Sequence, residues 1–292
     1  MPELPEVRWL QRNHQKELIG ATIKEVKVSH HNVIVTAAPK PEQALNDAVK
    51  DKTVNFIDRR GKYLLIGVGP YTLLVHFSFT GWLIPSWATQ SMPRRFLHPM
   101  DPDKHTRVLY VTDRGNLYLT DPRCLSRTWV FHDLSQALKS PQLKKMAPDA
   151  DTPEGEKALR EAIKKTGRRI RDLIMDQQTI AGVGNYLCCE ALYLAALHGH
   201  EPAKKLPPAK VDGLIEAIQK VIRTAETYDH HDWWSVFRRS KCPNGHIVTR
   251  EAWSTRGHYL CYTCQGNPSQ NNIEQVAQPT ASDEDPLADF LP

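Results

Sequence analysis

Two groups of residues in this chain have types and spacings that could do chemistry. The first opens the sequence, MPELPEV. A proline at position 2 permits removal of Met1, and the chain would then begin with a secondary amine. Because α-amines titrate near ~8 and lysine side chains near ~10, Pro2 is expected to be the better nucleophile close to neutrality. Glu3 and Glu6 lie beside it, and Lys62 stands at a strand start in RRGKYLL. The same proline would also suit the mere start of a surface helix. The second group is Cys242-x3-His246, then fourteen residues, then Cys261-x2-Cys264. Two short ligand pairs separated by a hairpin's length give four soft or borderline donors, the set a closed structural Zn²⁺ site needs. With no open position, such an ion would hold together a hairpin too small to bury a core of its own. His246 is preferred over His258 as the fourth donor because it pairs locally with Cys242 across a Pro-Asn-Gly turn, although His258 also competes.

Between these groups lies DQQTIAGVGNYLCCEALYLA, with Gly182 and Gly184 separating two apolar helical patterns and Asn185 at the start of the second. Glycines permit close approach, and the exposed N–H groups of a new helix can accept a phosphate. Asn185 could cap that helix or donate to the phosphate, and a turn serving only packing has the same sequence. Arg256, inside the cysteine hairpin, is a candidate phosphate contact or a solvated side chain. The run Lys164, Lys165, Arg168, Arg169 and Arg171 reads as a widened positive face or as a solvated helix surface.

The elements that must position these residues follow from periodicity. Val7, Leu10, His14 and Leu18 fall at helical spacing, and Gly20 would end that helix. From residue 22 to about 130, short β-branched and aromatic runs separated by glycine turns predict a sandwich or flattened barrel. The spacer ALKSPQLKKMAPDADTPEG then predicts a connection, with Thr152 or Asp151 capping a helix that begins at Pro153. Helices are expected over about 154–166, 168–176, 186–197 and 208–228. The expected division is therefore 1–135, a linker at 136–152, a helical domain at 153–235, the cysteine hairpin at 236–265 and a flexible acidic tail at 266–292.

The chain has 292 residues and 40% hydrophobic content, which suits a folded protein of more than one domain. The opening lacks the basic and apolar regions of a signal peptide, and no apolar run is long enough for a membrane span. An intracellular, reducing location and no membrane partner are expected, and six cysteines without a disulfide framework agree. The formal charge is +5, but from Gln265 onward there are five acids and no Lys or Arg, so the body carries +10. A basic body suggests a polyanionic partner.

Taken in order, PELPEV, GKYLL, VHFSFTG at 75–81, DPR at 121–123, DQQTIAGVGNYLCCEAL and the cysteine ribbon resemble one family over roughly residues 2–265. The chain is similar to the formamidopyrimidine-DNA glycosylases and endonuclease VIII proteins, bifunctional base-excision repair enzymes, and closer to the formamidopyrimidine branch. The resemblance implies an α+β multidomain fold: a β-sandwich with an N-terminal helix, a helix-two-turns-helix domain and a zinc ribbon, clamping double-stranded DNA that holds oxidised bases or abasic sites. It implies that Pro2 is the nucleophile, that Glu3 protonates the sugar oxygen, and that Lys62 binds phosphate near the lesion. Asn185 and Arg256 would grip the flanking phosphates, and Glu6 would support the DNA-binding terminus. Phe79, Arg123 and Leu125 occupy the positions that fill the emptied duplex, where the family's branch carries methionine, arginine and phenylalanine. The ribbon also departs from four cysteines, with His246 one residue beyond Gly245, an exchange zinc accepts. One structural zinc ion, no nucleotide cofactor and a monomer are expected. The competing readings are endonuclease VIII-like action on oxidised pyrimidines and a non-catalytic clamp that senses damaged DNA.

Overall fold

Leu4, Val7, Leu10, His14 and Leu18 recur on one face of helix α1 (Leu4–Leu18), and all five are buried. Glu3 is its N-cap. The Glu6 carboxylate accepts the Glu3 backbone N–H at 2.9 Å and the Glu3 side chain accepts from Glu6, a reciprocal capping box with Pro5 in the first turn. The helix gives way to Gly20 at φ +85°, whose N–H bonds the Val54 carbonyl and turns the chain into the sheet. His14 is 1% exposed, with Nε2 2.9 Å from the Leu83 carbonyl, so its ring is neutral and donates there.

The computed structural model describes residues 2–36, 38–87, 102–228, 230–253 and 256–266. It divides into two units, Met1–Met146 and Ala147–Pro292. In the first, the strands are β1 (Thr22–Val28), β2 (Ile34–Val35), β3 (Lys52–Arg60), β4 (Tyr63–Val68), β5 (Tyr71–His76), β6 (Trp82–Pro85), β7 (Thr106–Thr112), β8 (Gly115–Thr120) and β9 (Arg127–Phe131). Their order is β2-β9-β5-β4-β3-β1-β7-β8-β6. Strand pairing at Thr22↔Thr53 and Ile23↔Lys52 joins the two halves, and residues of both share one core. Alternation decides who enters it: Leu64, Ile66, Leu73 and Val75 meet Leu117, Leu119, Val7 and Leu10 there, whereas Leu65 and Leu74 point to the opposite face. That face is closed by α4 (Leu134–Leu138) through Ala137 and by Leu143. Strand β4 is thus buried on both sides, which is why YLLIGV shows no polar alternation.

The sandwich follows expectation, but two insertions do not. Helix α2 (Pro41–Val49), buried through Leu45, Ala48 and Val49, stands where the residue pattern leads from strand to strand. A short helix, α3 (Pro102–His105), precedes β7. The 136–152 segment is also more structured than a connection. Its first part packs on the sheet, and Ala147 and Ala150 donate backbone bonds to Gln177 and Ala181 of the second unit.

The second unit is built on α5 (Pro153–Lys165), α6 (Ile170–Met175), α7 (Asn185–Leu194) and α8 (Pro208–Thr227). Thr152 caps α5, its hydroxyl accepting from Gly155 N. Residues 185 to 192 of α7 are all buried, which marks it as the central helix, and α8 packs its apolar stripe from Val211 to Ala225 along it. Helix α7 stops at Leu194, short of 197, because Ala196 takes φ +48°. A hairpin of β10 (Thr249–Trp253) and β11 (Arg256–Leu260) leads into α9 (Tyr262–Gln265). Among the described residues no helix is long and apolar enough to cross a membrane. The acidic tail from residue 267 lies outside the described residues.

Burial holds the His14 pKa down to about 4, against 6.5 in the unfolded chain. The unfolded state therefore binds a proton first as pH falls, so the stability His14 contributes is full above pH 6.5 and drains towards pH 4. Between pH 7.5 and 5 the loss from this residue is about 2 kcal/mol. Denaturant melts at the two pH values should show a drop smaller by that amount in His14→Gln, whose amide still reaches the Leu83 carbonyl.

Candidate active site and metal centre

In the first unit Pro2 is buried and Glu3 is 0% exposed, both fixed by the capping box at the start of α1. Glu6, expected to support the DNA-binding terminus, is 3% exposed, and its carboxylate accepts the Glu3 backbone N–H, which ties it to the chain start. Lys62 occupies the second place of the two-residue hairpin between β3 and β4, ahead of the strand start. Gly61, at φ +53°, takes the first, a backbone conformation that glycine adopts freely. His76 is the cross-strand partner of Tyr63, next to Lys62, with the two rings 4.6 Å apart.

Phe79, Arg123 and Leu125 come together. Ser78 Oγ donates to the Leu125 carbonyl at 2.7 Å, and the Arg123 guanidinium lies 5.3 Å from the Phe79 ring centroid. Asp121, 0% exposed, organises the loop by accepting from Ser126 N, Arg123 N and the Thr80 hydroxyl. His76 Nδ1 faces Ser78 Oγ at 3.2 Å, so this loop and the Lys62 hairpin share a neighbour that periodicity alone does not single out.

In the second unit the glycine turn is closed from inside by Gln177. Its Oε1 accepts from Gly182 N, and its Nε2 donates to the Met175 and Val183 carbonyls. Gly182 takes φ +97°, which a side chain would strain. Gly184 is the N-cap of α7 and Asn185 its first residue, so Asn185 does not cap the helix. Its side chain, 7% exposed, instead accepts from Arg171 Nη2 at Oδ1 (2.9 Å) and donates Nδ2 to the Gly257 carbonyl (2.8 Å). Gly257 follows Arg256, so the structure brings these two predicted positions together through the backbone of β11. The Arg256 side chain lies outside what is described. Arg171 is 3% exposed and is no part of a solvated charge run, as its sequence neighbours suggested.

Glu190, one helix turn beyond Asn185, accepts the backbone N–H groups of Ser235, Val236 and Phe237 at 2.7 to 2.9 Å. Burial nevertheless pushes its carboxyl above the usual range, against the pull of those bonds. It secures the segment entering the hairpin to the central helix.

Cys242, His246, Cys261 and Cys264 place their ligand atoms within 4.8 Å of one another. Cys242 Sγ is 3.9 Å from Cys264 Sγ, and His246 Nδ1 is 3.3 Å from Cys264 Sγ. Two sulfurs bound at ~2.3 Å in a tetrahedron lie about 3.8 Å apart, so the four fit a metal ion. Burial opposes the Cys242 thiolate, but the Asn244 and His246 backbone N–H groups and side-chain bonds from Tyr193 and Cys261 outweigh it and draw its pKa down to about 6. Asn244 and His246 also lower that of Cys264. His258, the rival fourth donor, is 0% exposed with Nδ1 3.3 Å from Cys189 Sγ, outside the cluster.

Comparison with known proteins matches residues 1–128 to the formamidopyrimidine-DNA glycosylase N-terminal domain and residues 146–232 to the formamidopyrimidine-DNA glycosylase H2TH domain. The formamidopyrimidine-DNA glycosylase of Pelotomaculum thermopropionicum is 31% identical over 91% of this chain and 99% of its own length. That of Lactococcus lactis subsp. cremoris is 29% identical over 76% and 79%. A crystal structure of the Lactococcus lactis enzyme, bound non-covalently to DNA with an abasic site, superposes with a TM-score of 0.77 at 25% identity, covering 91% of this chain and all of that one. A MutM structure with carbocyclic 8-oxo-G DNA gives the same TM-score and identity. Sheet unit, helical unit and cysteine-histidine hairpin together define a bifunctional base-excision enzyme, a DNA glycosylase with abasic-site lyase activity. The chain belongs to the formamidopyrimidine-DNA glycosylase family.

Metal analysis should find about one ion per chain in the wild type and well under half of that in His246→Ala, with His258→Ala unchanged in stoichiometry. Glu190→Ala leaves three backbone N–H groups without their acceptor, and thermal melting should record a loss of about 3 kcal/mol.

Proposed function

We propose that Pro2, freed by removal of Met1, attacks the sugar C1′ of an oxidised nucleotide turned out of double-stranded DNA. The observation that carries this reading is the fully buried Glu3 carboxylate directly beside Pro2, both set by the first turn of α1. The positive end of the helix dipole disfavours a protonated amine at that place, which favours the neutral nucleophile. The C1′–base bond breaks with its electron pair on the departing base, which takes a proton from water; Glu3 accepts the N–H proton of the attacking amine and passes it to the sugar ring oxygen, and the nitrogen lone pair opens the ring as an iminium. The cation acidifies C2′, loss of that proton expels the 3′-phosphate, and a second elimination removes the 5′-phosphate. Lys62 and Arg256 stabilise the phosphate charge, and Asn185 donates its remaining amide N–H to a flanking phosphate.

Phe79, Arg123 and Leu125 enter the stack as the base leaves, offsetting the few kcal/mol that extrusion costs. Leu125 has no aromatic face, so opposite-base preference is expected to rest on Arg123. The relatives seen with abasic and 8-oxo-G DNA support oxidised bases and abasic sites as substrates. The family metal is Zn²⁺, which suits two-thiolate-or-more sites and here serves structure only. The enzyme works as an intracellular monomer in this reading.

Borohydride added with abasic-site duplex should trap a covalent adduct whose mass maps to Pro2 at the chain start. Pro2→Gly and Glu3→Gln should each lower its yield by about tenfold or more. Absence of the adduct in mature protein, or unchanged yield in both variants, overturns the assignment.

A further inference from the structure

We infer that Arg171 is a positioning residue for phosphate gripping, setting the flip of the Asn185 amide and tethering the hairpin tip that carries Arg256. The inference rests on the reading of Asn185 as a phosphate donor. A side-chain amide has one carbonyl oxygen and two N–H donors. Here the oxygen is taken by Arg171 Nη2 at 2.9 Å and one N–H by the Gly257 carbonyl at 2.8 Å, so a single N–H remains to face a phosphate. The Gly257 carbonyl can accept only from the nitrogen, and the Arg171 guanidinium can donate only to the oxygen. Both partners therefore demand the same orientation. Without Arg171 the constraint on the oxygen is lost, and a flipped amide would turn its oxygen to the phosphate, which repels it.

The same guanidinium reaches the hairpin. Its carbon lies 4.6 Å from the Trp253 ring centroid, and the Trp253 indole N–H donates to Asp172 Oδ1 at 2.8 Å. Trp253 is the cross-strand partner of Arg256 at the end of β10 and β11. The His200 ring, in the segment after α7, lies 4.1 Å from Trp253, with Nε2 3.2 Å from the Glu251 carboxylate, so the indole is held from several sides. One buried cation thus bonds Asn185 directly and packs on the strand pair to which Arg256 belongs. Asp172 Oδ1, 3.9 Å from Nη1, and the indole face offset the cost of burying that charge.

A double-mutant cycle tests this, using binding to a duplex with an uncleavable tetrahydrofuran abasic analogue and turnover on a true abasic-site duplex. Arg171→Met should raise Kd and KM about tenfold with kcat changed by no more than about twofold, and Arg171→Lys, which keeps one donor, should recover most of the loss. In an Asn185→Ala background Arg171→Met should add less than about threefold, because the amide it orients is gone. A full tenfold penalty in that background, or a fall in kcat without a rise in KM, overturns the role and leaves Arg171 a packing residue. An unchanged Kd in Asn185→Ala alone overturns the phosphate reading of Asn185 instead, so the two failures are distinct. Should Arg171→Met not fold, as its melting midpoint would show, the cycle run with Arg171→Lys decides. Its smaller penalty must vanish beside Asn185→Ala, and persistence of that penalty overturns the proposal.

Discussion

The reciprocal hydrogen bonds between Glu3 and Glu6 are the constraint on which the amino-terminal unit depends. A helix start leaves backbone N–H groups without partners, and burial makes each of them costly. By answering this need with two carboxylates, the chain can bury its first turn completely, with Leu4 and Val7 anchored in the core. Chain ends fray unless they are tied down. Here the tie is at the terminus itself, so the amine of Pro2 inherits the rigidity of the sheet on which α1 packs.

The second unit solves a related problem with the same type of device, polar side chains that answer backbone groups at element ends. Gln177 closes the glycine turn, Asn185 joins α7 to β11, and Glu190 holds the segment entering the hairpin. These three sit within fourteen residues of one another along the chain, and together they fix a turn, a helix start and a ribbon. The ligand atoms of Cys242, His246, Cys261 and Cys264, within 4.8 Å of one another, could hold a metal ion that adds a further restraint. The Asn185 amide bonds the Gly257 carbonyl of β11.

Much of this was legible in the residues, and the failures have a common cause. The helices of the second unit carried a clear 3.6-residue period, and the choice of His246 rested on a local turn that the structure contains. Arg171 was not legible. In a run with Arg168 and Arg169 a buried cation looks like its solvated neighbours, and its burial is decided by Trp253, about eighty residues later in the chain. The side-chain role of Asn185 stayed open for a similar reason, since capping and donation both suit an asparagine at a helix start and its partner Gly257 is remote. Helix α2 escaped because nine residues with three buried positions form too short a pattern to stand out among strands. Local period is written locally; pairing between distant segments is not.

The departures at Phe79 and Leu125 belong to this division between frame and tip. The loop that carries Arg123 and Leu125 is held by Asp121, which accepts from two backbone N–H groups and one hydroxyl, and by Ser78, which bonds the Leu125 carbonyl. None of these bonds involves the side chain of Phe79 or Leu125. These bonds come from other residues, and Phe79 adds a cation–π contact with Arg123 that an aliphatic residue would lack. If these side chains enter the duplex as proposed, an exchange at either position changes what meets the opposite base while the bonds that hold the loop stay as they are. In the proposed reading, the reaction rests on buried, mutually bonded groups at the start of α1, and the base preference on side chains at the ends of these loops.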